Sequence, residues 1–116
     1  MRYMLLIYTG EAGEAAMSQA EQEKMYTAYG AYTTEIRERG VMHSGEALQS
    51  TGTAKTVSVR SGKTVTTDGP YAETKEQLGG FYIVDCKDEA EAVELAAKIP
   101  GAQHGHIEVR PVMEFG

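Results

Sequence analysis

The chain has 116 residues and a formal net charge of -6 at neutral pH, and 41% of its residues are hydrophobic and 24% charged. This length fits one domain over residues 1–116, with a radius of gyration of about 13 Å. The single cysteine, Cys86, excludes an internal disulfide framework and a cysteine-clamped structural zinc, which makes the cytoplasm the expected location.

The charge balance and the N-terminal run argue against two classes of partner. Binding to a phosphate backbone needs several cations on one surface, and this acidic chain has no cluster of Lys and Arg. The apolar run over residues 3–8 is too short to span a membrane and has no small-residue cleavage site. The sequence therefore predicts no nucleic-acid partner and no membrane association.

The first expected elements are a strand and a long helix. Residues 2–9 are apolar at both odd and even positions, so both faces of this strand require cover. After a loop rich in Gly, Glu and Ala, Ser18 and Glu21 have the spacing of a capping box, which predicts a helix over residues 19–39. The apolar positions of this helix form one stripe, which consists of Met25, Tyr29, Tyr32 and Ile36.

A short strand and a hairpin follow. The pattern predicts a strand over residues 41–48 and a hairpin in which residues 55–60 and 63–68 flank Ser61-Gly62. Apolar and polar side chains alternate in the hairpin. This alternation predicts one wet face and one face that carries Val57, Val59 and Val65.

The last part of the chain repeats the strand-helix-strand order. Residues 71–78 are a polar stretch with room for one helical turn, and residues 81–86 predict a second strand that needs cover on both faces. Asp88 and Glu91 repeat the cap spacing before a second helix, which a Pro-Gly pair ends. Residues 106–113 alternate as in a final strand with one apolar face.

This order of elements predicts an α+β fold, a ferredoxin-like sandwich with the hairpin as an extra element. Two helices cover only one face of a sheet, so the other face, which strands 2–9 and 81–86 make apolar, requires another cover. A second copy of the chain would supply it, which predicts a homodimer with a small ligand cavity between sheet and partner. The alternative is a monomer with partial cover by loops.

Five ordered motifs cover almost the whole chain: RYMLLIY at 2–8, GEAL at 45–48, DGPYAETKE at 68–76, LGGFY at 78–82 and EVRP at 108–111. Together they resemble the DGPF group of the YCII-related proteins. The resemblance implies a dimeric α/β barrel built from ferredoxin-like protomers. It also implies a small bacterial protein of a group in which some members are encoded beside, or joined to, extracytoplasmic-function sigma factors.

Two departures from the group's pattern bear on chemistry. Tyr71 stands where the motif has Phe, which keeps the ring and adds a hydroxyl donor. Shorter YCII-related proteins pair a histidine of the first helix with an aspartate as catalytic residues, but residues 19–39 contain no histidine. That pair is therefore not expected here, and the tyrosines of this helix are weak bases at neutral pH.

Asp68 and Glu46 are the candidate catalytic residues, as acid or base. Asp68 lies where a strand ends at a turn, from which a carboxylate can face a pocket, but Asp-Gly is also a common turn start in which the side chain caps its own backbone. Glu46 lies among apolar neighbours in a strand, where desolvation would suit it to proton transfer. An ion pair of Glu46 with Arg110 or Lys75 is the structural alternative.

Five further residues are candidates for ligand binding. Arg110 or Lys75 would orient an anionic group, and Tyr29 and Tyr71 would shape the cavity. His43 is either a hydrogen-bonded strand residue or a base at the pocket edge. No phosphate-binding loop, nucleophile elbow or dinucleotide fingerprint occurs in the sequence, and no cofactor is predicted.

His104, His106 and Glu108 have a spacing that would put three metal-ligating side chains on one strand face. Gly105 loosens the start of that strand, and His104 can still lie in a loop, so no metal site is predicted. Cys86 lies in an apolar strand, and we interpret it as a buried, unreactive thiol.

Two functions stay open on the sequence alone. In the first, the dimer is an enzyme that acts on a small molecule by carboxylate acid/base chemistry. In the second, it is a non-catalytic ligand-binding or regulatory module, linked through the resemblance to a sigma-factor system. Convergence of Glu46 and Asp68 on one cavity would favour the first.

Overall fold

The chain forms six strands and three α-helices within residues 1–115, the part that this computed structural model describes. The elements in chain order are β1 (Arg2–Thr9), α1 (Glu11–Ala15), α2 (Gln19–Glu38), β2 (Met42–Ala47), β3 (Lys55–Arg60), β4 (Lys63–Asp68), β5 (Gln77–Asp85), α3 (Glu89–Ala97) and β6 (His106–Pro111). Short 3₁₀ turns occupy Thr51–Thr53 and Pro100–Gln103. The long helix, the hairpin strands and the second main helix lie where the sequence predicts them.

Four strands form one antiparallel sheet in the order β2-β5-β1-β6, while β3 and β4 form a separate two-stranded sheet. Strand β1 pairs with β5 on one side and with β6 on the other. The crossover through α2 and the crossover through α3 put both helices on the same face of the main sheet. The α+β prediction is thereby confirmed, and the strand order is compatible with a ferredoxin-like sandwich.

The two main helices begin at side-chain caps. Ser18 Oγ accepts the Glu21 N–H at 3.2 Å and the Glu21 carboxylate accepts the Ser18 N–H at 3.3 Å, which confirms the predicted capping box. Asp88 Oδ1 accepts the Glu91 N–H at 2.9 Å. The Glu91 carboxylate accepts the N–H of Lys87 instead of that of the cap residue, and this bond lowers the pKa of Glu91.

One face of the main sheet carries the hydrophobic core. Along β1, Tyr3, Leu5 and Ile7 are buried on this face under α2 and α3. The Tyr32 hydroxyl donates to the Leu95 carbonyl at 2.8 Å and so links the two helices, and burial raises the pKa of Tyr32. The buried hydrophobic set also includes Ile36, Tyr82, Val84, Ala92, Ala96 and Ile99.

None of the three helices lies over the opposite face of the main sheet, which we call the open face. Successive strand residues alternate between the two faces, so the side chains between the core positions of β1 and β5 belong to the open face. Its middle is apolar and half-buried, and it consists of Met4, Leu6, Tyr8, Phe81 and Ile83.

The two edges of the open face are polar. Cross-strand pairing decides which side chains lie there, because residues directly opposite each other share a face. On the β6 edge these residues are His106, Glu108 and Arg110, opposite Tyr8, Leu6 and Met4. On the β2 edge they are Ser44 and Glu46, opposite Ile83 and Phe81.

Residues 55–68, the hairpin of β3 and β4, form an arm that pairs with no strand of the main sheet. Its turn is the predicted one, and Ser61 and Gly62 have positive φ angles of 50° and 75°, as a type I′ hairpin turn requires. Val57 and Val59 share one face of the arm and are each 60% exposed. The arm therefore presents apolar side chains to solvent in the single chain.

Three sequence predictions are wrong in detail. The register places Val65 opposite Ser58, on the other face of the arm from the remaining two valines. Residues 11–15 form helix α1 and not a loop. The sequence does not reveal this helix, because five residues are too few to display an apolar stripe. Residues 71–76 hold no helical turn, since side-chain hydrogen bonds to their carbonyls stabilise an irregular segment.

The molecule is a thin slab, with extents of 48 × 47 × 18 Å and a Cα radius of gyration of 16.1 Å. A compact domain of this length has a radius of gyration of about 13 Å. The difference arises because the arm projects from the main sheet and because the helices cover that sheet on one side only.

Gly101 allows the turn after α3 to pack against β1 and α2. A Cβ at this position would lie 2.6 Å from the Tyr29 hydroxyl and 3.3 Å from side-chain methyls of Ile7 and Thr9. We expect Gly101→Ala to lower the free energy of unfolding by about 1–3 kcal/mol, since a packed core accommodates an added methyl only with strain. Gly30→Ala, on the exposed surface of α2, is the control and should raise stability by about 0.5–1 kcal/mol. Denaturant unfolding followed by circular dichroism measures both variants, and equal effects would contradict this account.

Candidate functional site

The two candidate catalytic carboxylates lie in different sheets. Glu46 is exposed on the β2 edge of the open face, opposite Phe81. Asp68 ends β4 in the arm, where its carboxylate forms an ion pair with Lys55 and is 87% exposed. The alternative, an ion pair of Glu46 with Arg110 or Lys75, does not form among residues 1–115. Arg110 lies on β6, at the opposite edge of the main sheet from Glu46.

Tyr29 lies on the helix side of the main sheet. Its hydroxyl accepts the N–H of Gly101 at 3.1 Å and so joins α2 to the turn that precedes β6. Burial raises the pKa of Tyr29, against the opposing effect of the Gly101 hydrogen bond. In the single chain this hydroxyl therefore acts within the fold, away from the open face.

The other four candidates for ligand binding are exposed. His43 lies in an irregularity of β2, where the register shifts between Met42 and Ser44. Tyr71 is 92% exposed in the loop after the arm, and Lys75 is exposed in the same loop. Arg110 is on the open face, with its Nε 3.6 Å from a carboxylate oxygen of Glu108.

A histidine–carboxylate pair lies at the end of the open face. His106 Nδ1 is 2.8 Å from Glu76 Oε1, which makes it a hydrogen bond between an imidazole and a carboxylate. Glu76 is not among the seven candidate site residues, and the sequence leaves its polar loop open between a surface turn and a pocket lid. The one signal for Glu76 in the sequence is its place as the last residue of the motif at 68–76. Its contact with His106 depends on the pairing of β5, β1 and β6, which the sequence does not display.

The predicted strand face of His104, His106 and Glu108 does not form as a set of three. His104 lies outside β6, at the end of the 3₁₀ turn, while Glu108 forms an ion pair with Arg110. Within residues 1–115, no three His, Cys, Asp or Glu side chains are arranged to hold a metal ion.

Two depressions of the surface lie along the helices. The larger, of about 880 Å³, follows α2 and the segment after α3, and residues such as Met25, Glu35, Lys98 and His104 line it. The smaller, of about 320 Å³, lies between α1, α2 and the ends of β1 and β5. None of the seven candidate site residues lines either depression, so neither of the two brings Glu46 and Asp68 together.

Comparison with known proteins identifies the family. The family model for the YCII-related domain matches residues 1–116. The chain belongs to the YCII-related family. An uncharacterized protein of Rhizobium meliloti (strain 1021) is similar to this YCII-related protein, with 37% identity over 114 residues, which are 97% of this chain and 92% of the relative. The resemblance to YCII-related proteins is thereby confirmed.

Membrane association is not predicted from the sequence of this YCII-related protein. In the part of the chain that the structure describes, no helix combines the length and the hydrophobicity that a membrane crossing requires.

Cys86 of this YCII-related protein is buried, and its thiol donates to the Asp88 carbonyl at 3.5 Å. Burial raises the pKa of Cys86, so at pH 8 a smaller fraction is thiolate than for an exposed cysteine. We expect the native protein to react with a thiol reagent at least about tenfold more slowly than the denatured protein. Thr66→Cys on the exposed arm, in a Cys86→Ala background, provides a reactive control. Equal rates for the buried and the exposed thiol would contradict this expectation.

Proposed function

We propose that two copies of this chain pair through their open faces, and that the space between the two sheets binds a small molecule on which Glu46 acts as proton donor or acceptor. One observation carries the proposal. The open face is apolar in its middle and ionisable at both edges, and no helix covers it in the single chain. Such a face suits the inside of a dimeric α/β barrel, in which each sheet covers the other.

The apolar middle of the open face supports pairing with a second copy. Leu6 lies directly opposite Phe81, and Met4 lies opposite Ile83. Burial of such side chains contributes about 25 cal/mol for each Å² of apolar surface removed from water. The slab is only 18 Å thick, which is one sheet and one layer of helices, so a second slab would complete the layers of a closed core.

The arm supports pairing through a second surface. An isolated two-stranded hairpin is marginally stable in water, yet Val57 and Val59 are exposed on one face of this one. Residues 55–68 carry three cations and one carboxylate, whereas the whole chain has a charge of -6, so the remainder of the chain carries -8. Because a basic arm and an acidic body attract each other, we propose that the arm lies against the second copy.

Glu46 is the group best located to move a proton in the paired molecule. It lies on the open face opposite Phe81, and none of the ion pairs among residues 1–115 involves it. A second copy over this face would remove the carboxylate from water and make it a stronger proton acceptor. Arg110, at the opposite edge, would orient an anionic group of the ligand. Asp68 stays the second acid/base candidate, and its ion pair with Lys55 has to open for that role.

The alternative is a non-catalytic ligand-binding or regulatory module, which the resemblance links to a sigma-factor system. Two ion pairs favour it, because Lys55–Asp68 and Arg110–Glu108 engage charged groups that an enzyme would use on its substrate. For either function we propose a cytoplasmic location, in keeping with the one free cysteine.

Leu6→Asp is expected to prevent pairing without unfolding the chain. Leu6 lies outside the core under the helices, so an aspartate there meets water in the single chain but would be buried without a partner in the dimer. Val93→Asp, on the exposed surface of α3, is the matched control. Sedimentation equilibrium at micromolar concentration should give a dimer for the wild type and the control, and a monomer with an unchanged circular dichroism spectrum for Leu6→Asp. A monomeric wild type at that concentration would end the pairing proposal.

Glu46→Gln and Asp68→Asn test the acid/base role against the regulatory alternative. Thermal shifts of the protein are recorded against a library of small metabolites, and each ligand found with the wild type is titrated on both variants. Glu46→Gln should weaken binding about tenfold or more, because a hydrogen bond to a charged group contributes about 1.5–3 kcal/mol. Asp68→Asn should change binding less, since its carboxylate is already ion-paired. Unchanged ligand responses in both variants would contradict the acid/base role and favour the regulatory module.

A further inference from the structure

A histidine–carboxylate pair at one end of the open face has no part in the function proposed above. His106 is the first residue of β6, and it lies opposite Tyr8 on the open face. Its Nδ1 is 2.8 Å from a carboxylate oxygen of Glu76, the residue before β5. In the single chain the imidazole is 83% exposed and the Glu76 side chain 30% exposed.

The chemistry of the two groups decides which nitrogen carries the hydrogen. An ionised carboxylate only accepts hydrogen bonds, so Nδ1 of His106 carries a hydrogen and donates it to Glu76. The neutral ring then has its lone pair on Nε2, which is free to accept a proton. A carboxylate in this position holds the ring in one orientation and stabilises the imidazolium that forms when Nε2 is protonated.

The chain holds Glu76 in place through its neighbours. Strand β1 lies between β5 and β6, so the Glu76 side chain reaches across the end of β1 to His106. The Thr74 hydroxyl donates to the Glu76 carbonyl, and Gln77 Nε2 donates to the Thr74 carbonyl at 2.7 Å. Gln77 Oε1 in turn accepts the Glu11 N–H at 2.9 Å. These hydrogen bonds stabilise the backbone on both sides of Glu76, the segment from which its side chain extends.

The surroundings of His106 suit a proton acceptor beside an apolar floor. Tyr8 lies directly opposite the imidazole, and Leu6 follows on the same face of β1. The next ionisable groups on this edge, Glu108 and Arg110, form an ion pair with each other. Within residues 1–115, Glu76 is the charged group that contacts the ring.

We propose that His106, held in orientation by Glu76, is a proton acceptor of the open-face site, and that the site takes a small, flat, largely apolar molecule with a removable proton. The inference rests on the proposed function, because the second copy is what would enclose the ring. It adds a base at the β6 edge of the open face, whereas Glu46 lies at the β2 edge.

The compound 5-nitrobenzisoxazole is a probe for such a base and does not require knowledge of the natural ligand. A base removes the proton on C3, the electron pair of that C–H bond completes a C≡N bond, and the N–O bond breaks to leave a phenolate. The base keeps the proton, and the reaction consumes no oxidant, reductant or metal. The coloured phenolate reports the rate.

His106→Gln in the full-length protein is expected to lower the second-order rate constant for this probe about tenfold or more, because a positioned general base contributes about 10²–10⁴-fold. His104→Gln is the matched control, since it changes an exposed histidine outside β6, and it should leave the rate unchanged. Glu76→Ala should lower the rate, and Glu76→Gln should restore part of it, because the amide oxygen still accepts a hydrogen bond from Nδ1.

Nitrogen NMR of the imidazole tests the positioning role of Glu76. The neutral His106 ring should carry its hydrogen on Nδ1 in the wild type and in Glu76→Gln, and it should shift toward the Nε2-protonated tautomer in Glu76→Ala. A role of Glu76 confined to stability would leave the tautomer unchanged, and that result would overturn the positioning role.

Sedimentation of the same samples separates this inference from the proposed function. If the wild type is a dimer and reacts with the probe at the same rate as His106→Gln and His104→Gln, the inference about His106 is overturned and the pairing proposal stands. A dimeric wild type that does not react with the probe has the same consequence. If Glu46→Gln loses the reaction and His106→Gln keeps it, Glu46 and not His106 is the group that accepts the proton of the probe. A monomeric wild type would overturn both proposals.

Discussion

The structure depends on one constraint, which is that the central strands β1 and β5 are apolar on both faces while the chain supplies helices for only one. The covered face packs under α2 and α3, where a hydrogen bond from Tyr32 to the backbone of α3 links the two helices. The open face keeps Leu6, Phe81 and their neighbours half-buried, because only adjacent side chains of the same sheet shield them. Association through that face is the most direct way to remove this apolar area from water.

The same constraint places the polar chemistry at the edges of the open face. Apolar residues occupy the middle strands, so the ionisable side chains of this face lie on the outer strands β2 and β6. Glu46 at one edge and His106 at the other therefore border an apolar floor, and the proposed ligand site depends on this arrangement. The ion pairs of the arm and of β6 have a different character, since both are exposed and contribute little to stability.

Much of the fold was predictable because its signals are local. The capping box at Ser18, the Asp88 cap and the Ser61-Gly62 turn each depend on residues at most three positions apart, and all three occur where the sequence indicates. Helix α1 was missed because five residues are too few to show a period. The face of Val65 was wrong because alternation within one strand does not give its register against the other strand.

The candidate site was less predictable, because its geometry depends on distant parts of the chain. Residue type and alternation, which the sequence itself contains, determined that an α+β domain has two strands that are apolar on both faces and that Glu46 lies in a neighbouring strand. Only the tertiary structure decided that the hairpin of Asp68 lies in a separate sheet from Glu46, that Tyr29 bonds to Gly101, and that Glu76 meets His106 across β1. Each of these arrangements depends on strand order and crossover direction, and a local pattern carries no information about either.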